Sequence, residues 1–251
     1  MSEIRRVGIG VFLISLGAMA LELTMIRVFD FIFTRNLSFL IISAALFSLG
    51  LSGVYLSLHP GPVRRKETPI LWKLSAFFAF FVLLIRPGLN ALSFDPQKLT
   101  RQPLIELSLL LGIYLLLCLP FVLAGLFLAQ TFSAYPEKVG TLYAVDLAGA
   151  AVGAAAVLPI VPVAGPGGIL AGSAAAAFCG SALLSESRWW RTTLGMLAVA
   201  TISIPFWVPP SPADFLQRYT KGEQLTGGVK KAQPLGTIEY SVWDPISRID
   251  V

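Results

Sequence analysis

Long apolar runs that are almost free of charge recur along nearly the whole chain, and they constrain its fold more than any other feature. Seven can be marked: Val7 to Phe29, Leu37 to Leu58, Ile70 to Ile85, Leu104 to Phe132, Thr141 to Val163, Gly167 to Leu184 and Thr192 to Val208. At 1.5 Å per residue, each is long enough or nearly so to cross a hydrocarbon layer of about 30 Å, with the third and seventh the shortest. Between them lie segments rich in Pro, Gly and charge, among them His59 to Pro69, Arg86 to Pro103 and the turn Ala164-Gly165-Pro166. The pattern predicts an all-α membrane protein, a bundle of about seven transmembrane helices over residues 1–209, with a soluble tail at 210–251.

Composition agrees. Of the 251 residues 55% are hydrophobic and 13% charged, against about 25% charged in ordinary soluble chains. Mean hydropathy of +0.76 argues against a disordered chain. The net charge of +5 does not point to a nucleic-acid partner, because the 19 Lys and Arg residues stand in short groups at the ends of apolar runs. The expected partner is the lipid bilayer. Cys118 and Cys179 both lie in apolar stretches and read as small hydrophobes, and His59 stands alone, so no metal site is expected.

The first run has a competing reading. Arg5-Arg6, an apolar stretch and Ala18-Met19-Ala20 look like a cleavable secretory signal. The apolar character continues to Phe33, however, and an uncleaved first helix is the simpler expectation.

After Pro209-Pro210-Ser211-Pro212 the chain turns polar. Thr237 to Trp243 alternates as a strand would, Asp244-Pro245 reads as a turn, and Ser247 to Val251 alternates again. Two strands are marginal alone in water, so a sheet is expected to continue from them.

Ionisable groups within apolar spans are costly, about 2.5 to 3.5 kcal/mol each at a helix centre, and are the first candidates for function. Glu22, Arg27 and Asp146 qualify, and Tyr143 lies one turn before Asp146. Arg27 is near enough to a helix end to snorkel. Glu22 and Arg27 differ by about 140° round the helix and do not pair along one face. Glu22 is therefore expected to face another helix, either on a cation or polyamine path or as a packing lock. Asp146 is placed about 15 Å from Glu22 in depth if every span crosses, which disfavours a two-carboxylate site. It is expected near Lys66, Lys73 and Lys138, where an ion pair is the plain structural alternative to a path. Gly149 and Gly153, in GxxxG spacing, point to close helix packing. Gly165-Pro166-Gly167-Gly168 has no strand before it and no Lys-Ser or Lys-Thr after it, so it reads as an interhelical turn and not a phosphate loop. With no nucleophile and base to pair, no catalytic residue is assigned.

Four segments carry a resemblance: Ala20 to Phe29, Phe39 to Gly50, Leu119 to Gly125 and Leu142 to Ala150, joined by Trp243-Asp244-Pro245-Ile246-Ser247-Arg248-Ile249-Asp250-Val251. Together they resemble the N-terminal membrane domain of bacterial spermidine-synthase-like (polyamine aminopropyltransferase-like) multi-pass membrane proteins. The resemblance implies that a Rossmann-like synthase domain binding decarboxylated S-adenosylmethionine would follow, and that 210–251 is its truncated beginning. This chain holds none of that domain's cofactor or catalytic positions and is expected to be inactive alone. It would serve as a membrane anchor, guide a cationic substrate or product, and partner a synthase-like domain or subunit. The alternatives from other classes are a small integral-membrane transporter and a structural assembly subunit.

Orientation follows from the basic residues. Arg5, Arg6, Arg64, Arg65, Lys66, Lys73, Lys138, Arg188 and Arg191 fall on the N-terminal side, and Arg35, Arg86, Lys98 and Arg101 on the other. The positive-inside rule then puts the N-terminus in the cytoplasm of a bacterial inner membrane. Adding Arg218 and Lys221 of the tail to the second side narrows the difference. Seven crossings would leave the tail outside, so either one short run does not cross or the tail does not perform ordinary cytoplasmic polyamine chemistry.

Overall fold

The computed structural model describes residues 3–32, 35–59, 68–92, 94, 96–207, 241–243 and 248–250. The expected turn at Asp244-Pro245, the basic group Arg64 to Lys66 and the tail residues Arg218 and Lys221 lie outside the described residues. Six α-helices are described: α1 (Glu3–Ile32), α2 (Arg35–Leu58), α3 (Thr68–Ala91), α4 (Pro103–Ala134), α5 (Val139–Leu184) and α6 (Arg188–Trp207). Short 3-10 turns at Pro96–Thr100 and Pro136–Lys138 precede α4 and α5. Five helices, α1 to α5, are long and apolar enough to cross a membrane. The sixth carries Arg188 and Arg191 in its first turn and falls outside that set.

The 46 residues of α5 would measure about 69 Å if straight, more than twice a hydrocarbon layer. They are not straight. Gly165 has φ 64° and ψ −179°, a left-handed backbone that glycine adopts without a Cβ penalty. Pro166 then opens the second stretch at a first-turn position, where its missing N–H costs nothing. The contacts with α1 show the reversal. Phe12 and Leu16 meet Gly149 and Gly153, in rising order, whereas Gly17 meets Ser173 and Gly10 meets Gly180 and Leu184, in falling order. Residues 139–164 therefore run parallel to α1 and 166–184 antiparallel to it, so α5 is a helical hairpin that grips α1 with both arms.

The other helices alternate in the same sense. α2 and α4 run side by side in one direction, since Ser48 Oγ donates to the Cys118 carbonyl (3.1 Å) and Ser52 Oγ reaches the Val122 carbonyl (2.9 Å). α3 opposes α4, with Gly88 against Leu116 and Gly112 against Leu92. The third apolar run extends further than its composition suggests. α3 continues past Arg86-Pro87 to Ala91, because Pro87 removes a single backbone donor and the next turn closes normally, with Leu92 N–H on the Gly88 carbonyl at 2.9 Å.

Burial has an unusual polarity. The core joins Val11, Ile14, Leu21, Phe78, Ile113, Phe127 and Ala174 into one cluster. It also encloses Ser15, Ser48, Ser52, Ser75, Thr131, Ser173 and Ser181. The outside is apolar: Leu46, Phe47, Phe77, Leu104, Leu111, Leu115, Val163, Met196 and Val199 are all exposed, Leu104 at 84% and Val163 at 82%. In the tail, β1 (Ser241–Trp243) pairs antiparallel with β2 (Arg248–Asp250), Val242 opposite Ile249.

Candidate functional site

The polar candidates lie along α1 and the first arm of α5. Asp146, half-buried, accepts a hydrogen bond from Ser15 Oγ, and Ser15 is itself 5% exposed. Among the described residues this hydroxyl, in the middle of α1, is the recorded partner of Asp146, where the sequence suggested a lysine at the helix ends. The parallel register set by Phe12 on Gly149 and Leu16 on Gly153 places the Asp146 backbone nearer the start of α1, so this contact is made by the side chains across about two turns and does not follow from backbone register. Glu22 is half-buried. Seven residues beyond Ser15, it stands about 20° off the same stripe of α1 and about 10 Å further along the axis. Glu22 and the Asp146 carboxylate therefore stand about 10 Å apart along α1 and do not share a site.

Arg27 is half-buried near the end of α1, and Tyr143 is 54% exposed on the outside of α5. Neither joins the Ser15–Asp146 contact. Gly149 and Gly153 sit directly on α1, where a Cβ at either would overlap the carbonyl oxygen of Phe12 or of Leu16. Such closeness brings Cα–H groups against carbonyls, a weak attraction common at helix interfaces. Gly165 to Gly168 link two helical arms, with no strand leading in, so the local geometry does not make a nucleotide-phosphate loop.

The residues that composition did not single out are the hydroxyls. Ser75 Oγ donates to the Ala177 carbonyl (2.7 Å) and Ser181 Oγ to the Trp72 carbonyl (2.6 Å), tying α3 to the second arm of α5. Ser52 also fills the space opposite Gly125, its Oγ 2.6 Å from where a Cβ would stand. Among the described residues, Thr24 Oγ1 and Ser173 Oγ are buried with no hydrogen-bond partner. A signal for these was available: a hydroxyl in an apolar run must bond back to its own helix or across to a neighbour. Among the described residues no group of three His, Cys, Asp or Glu side chains converges on a metal-sized site.

No protein-family model, curated protein or solved structure matches this chain.

Proposed function

We propose that the chain is a multi-pass domain of the bacterial inner membrane, with seven crossings made by α1 to α4, the two arms of α5, and α6, and with a cytoplasmic N-terminus. Its role is to anchor a spermidine-synthase-like activity, as the resemblance of its four helical segments and tail implies. Support for the membrane comes from the polarity of burial: exposed Leu, Phe, Val and Met cover the helices while hydroxyls bond inside, and an apolar surface this continuous is untenable in water. In this reading the pairing of β1 with β2 begins a larger sheet, and decarboxylated S-adenosylmethionine binds that sheet's domain and not the helical bundle.

One observation favours an anchor over a transporter with a single two-carboxylate site, though not over one whose Glu22 and Asp146 bind a cation in turn. The Asp146 carboxylate is engaged by Ser15 and stands about 10 Å along α1 from Glu22, so the two acids do not form one cation site. The test is recruitment. A soluble synthase-like domain encoded beside this chain should sediment with membranes only when the chain is co-expressed. A domain that stays soluble, or the absence of any such coding region, overturns the anchor.

The half-buried Glu22 supports a second reading, a path for a cationic substrate or product. Vesicles containing the chain would then take up labelled spermidine, and Glu22→Gln would abolish uptake while leaving the fold intact. Equal uptake by both proteins rejects it.

A further inference from the structure

Contacts between helix termini define one end of the bundle. Glu3 and Tyr135 meet at 2.9 Å, Ser181 reaches Trp72, and Gly10 meets Leu184, so the starts of α1, α3 and α6 gather at one end with the close of α4 and of α5. Among the described residues that end carries six cations, Arg5, Arg6, Lys73, Lys138, Arg188 and Arg191, against Glu3, Glu137 and Glu186.

The cations are not spread evenly. α3 and α6 each lie along α5, and they meet near their starts through Trp72 and Trp190, whose ring centroids are 5.4 Å apart at an interplanar angle of 33°. Lys73 Nζ stands 5.8 Å from the Trp72 ring centre, within cation–π range. Arg191 follows Trp190 directly, and Arg188 lies one turn earlier on the same side of α6; all three cations are exposed. The Ser181 hydroxyl fixes the backbone of Trp72 beneath the pair. Further along the same two helices, Phe77, Phe80, Met196 and Val199 are exposed.

Basic heads above an aromatic step, with bare apolar surface beneath, match the shape and charge of one phospholipid: phosphate at the cations, glycerol at the indoles, acyl chains along the helices. We infer that the junction of α3 and α6 is a binding site for an anionic phospholipid, with Lys73, Arg188 and Arg191 holding its headgroup. The site rests on the membrane reading and is independent of whether the bundle serves as anchor or transporter.

Native mass spectrometry of the purified chain in equal amounts of phosphatidylglycerol and phosphatidylcholine with matched acyl chains tests it. The wild type should retain phosphatidylglycerol preferentially, and Lys73→Gln/Arg191→Gln should lower that preference about tenfold or more. The charge-matched variant Lys98→Gln/Arg101→Gln, at the other end of the bundle, should keep it. No preference in the wild type, no fall in the first variant, or an equal fall in the second overturns the site. Release of the chain from membranes by alkaline carbonate would instead overturn the membrane reading, and so separates the two failures. A Lys73→Gln/Arg188→Gln variant repeats the test on a second pair of exposed side chains.

Discussion

Ser15 donates its hydroxyl proton to the carboxylate of Asp146 across 131 positions of sequence, linking the centre of α1 to the first arm of α5. The bond satisfies a buried hydroxyl and one oxygen of a half-buried acid together, and it ties the two helices to each other. Ser15→Ala leaves the acid without that donor and is expected to cost about 1 to 3 kcal/mol. Asp146→Asn keeps an acceptor and should cost less. Thermal unfolding in detergent of both single variants and the double variant gives the coupling; additive effects would show that the two side chains do not interact.

Gly149 and Gly153 leave no room for a side chain, because the obstacle is the backbone carbonyl of Phe12 or Leu16 and not a flexible group. Gly149→Ala and Gly153→Ala should each separate α5 from α1 and sharply lower the yield of monodisperse protein. Among the described residues nothing lies within 4 Å of a Cβ added at Gly50 or Gly53 in α2. Gly50→Ala is expected to be neutral or mildly stabilising, by up to about 1 kcal/mol. Fluorescence-detected size exclusion compares them, and equal behaviour of Gly50→Ala and Gly149→Ala would contradict the close contact.

At Gly165 the difficulty is conformational. Its φ of 64° costs an L-residue about 1 to 2 kcal/mol, so Gly165→Ala should lower the unfolding midpoint. Gly167, where among the described residues only Arg86 Nη1 comes near, at 4.0 Å from an added Cβ, should tolerate alanine. Matching midpoints for the two variants would mean that the hairpin does not turn at Gly165.

Sidedness can be read with thiol reagents. In a background lacking Cys118 and Cys179, Asn90→Cys and Ser187→Cys occupy exposed positions at opposite ends of the bundle. A membrane-impermeant maleimide added to intact cells should label the first and spare the second. A phosphatase fused after Val251 should be active outside the cytoplasm if α6 crosses. An inactive fusion would place α6, the helix outside the five long apolar ones, along the surface.

Much of the helical layout was legible in sequence. The apolar runs at Leu37 to Leu58 and Leu104 to Phe132 agree with α2 and α4 to within two residues. Gly165-Pro166 marked the reversal of α5, since glycine and proline act through local backbone geometry. Pro87 misled because one lost donor in an apolar helix is a smaller effect than ending the helix. Asp146 was the harder case. The membrane face it approaches suggested Lys66, Lys73 and Lys138, whereas among the described residues its hydrogen-bond partner is a serine more than a hundred residues away. Pairings of that range depend on how helices are placed in space, which composition does not encode.

The grip of both α5 arms on α1 also sets an order of events during synthesis. At 5 to 20 residues per second, Asp146 leaves the ribosome about 7 to 26 seconds after Ser15. For that interval α1 is a helix whose central hydroxyl has no long-range partner and whose two flanks await the hairpin. The first helix made is thus among the last to be locked, and maturation of the domain is timed by the arrival of its fifth helix.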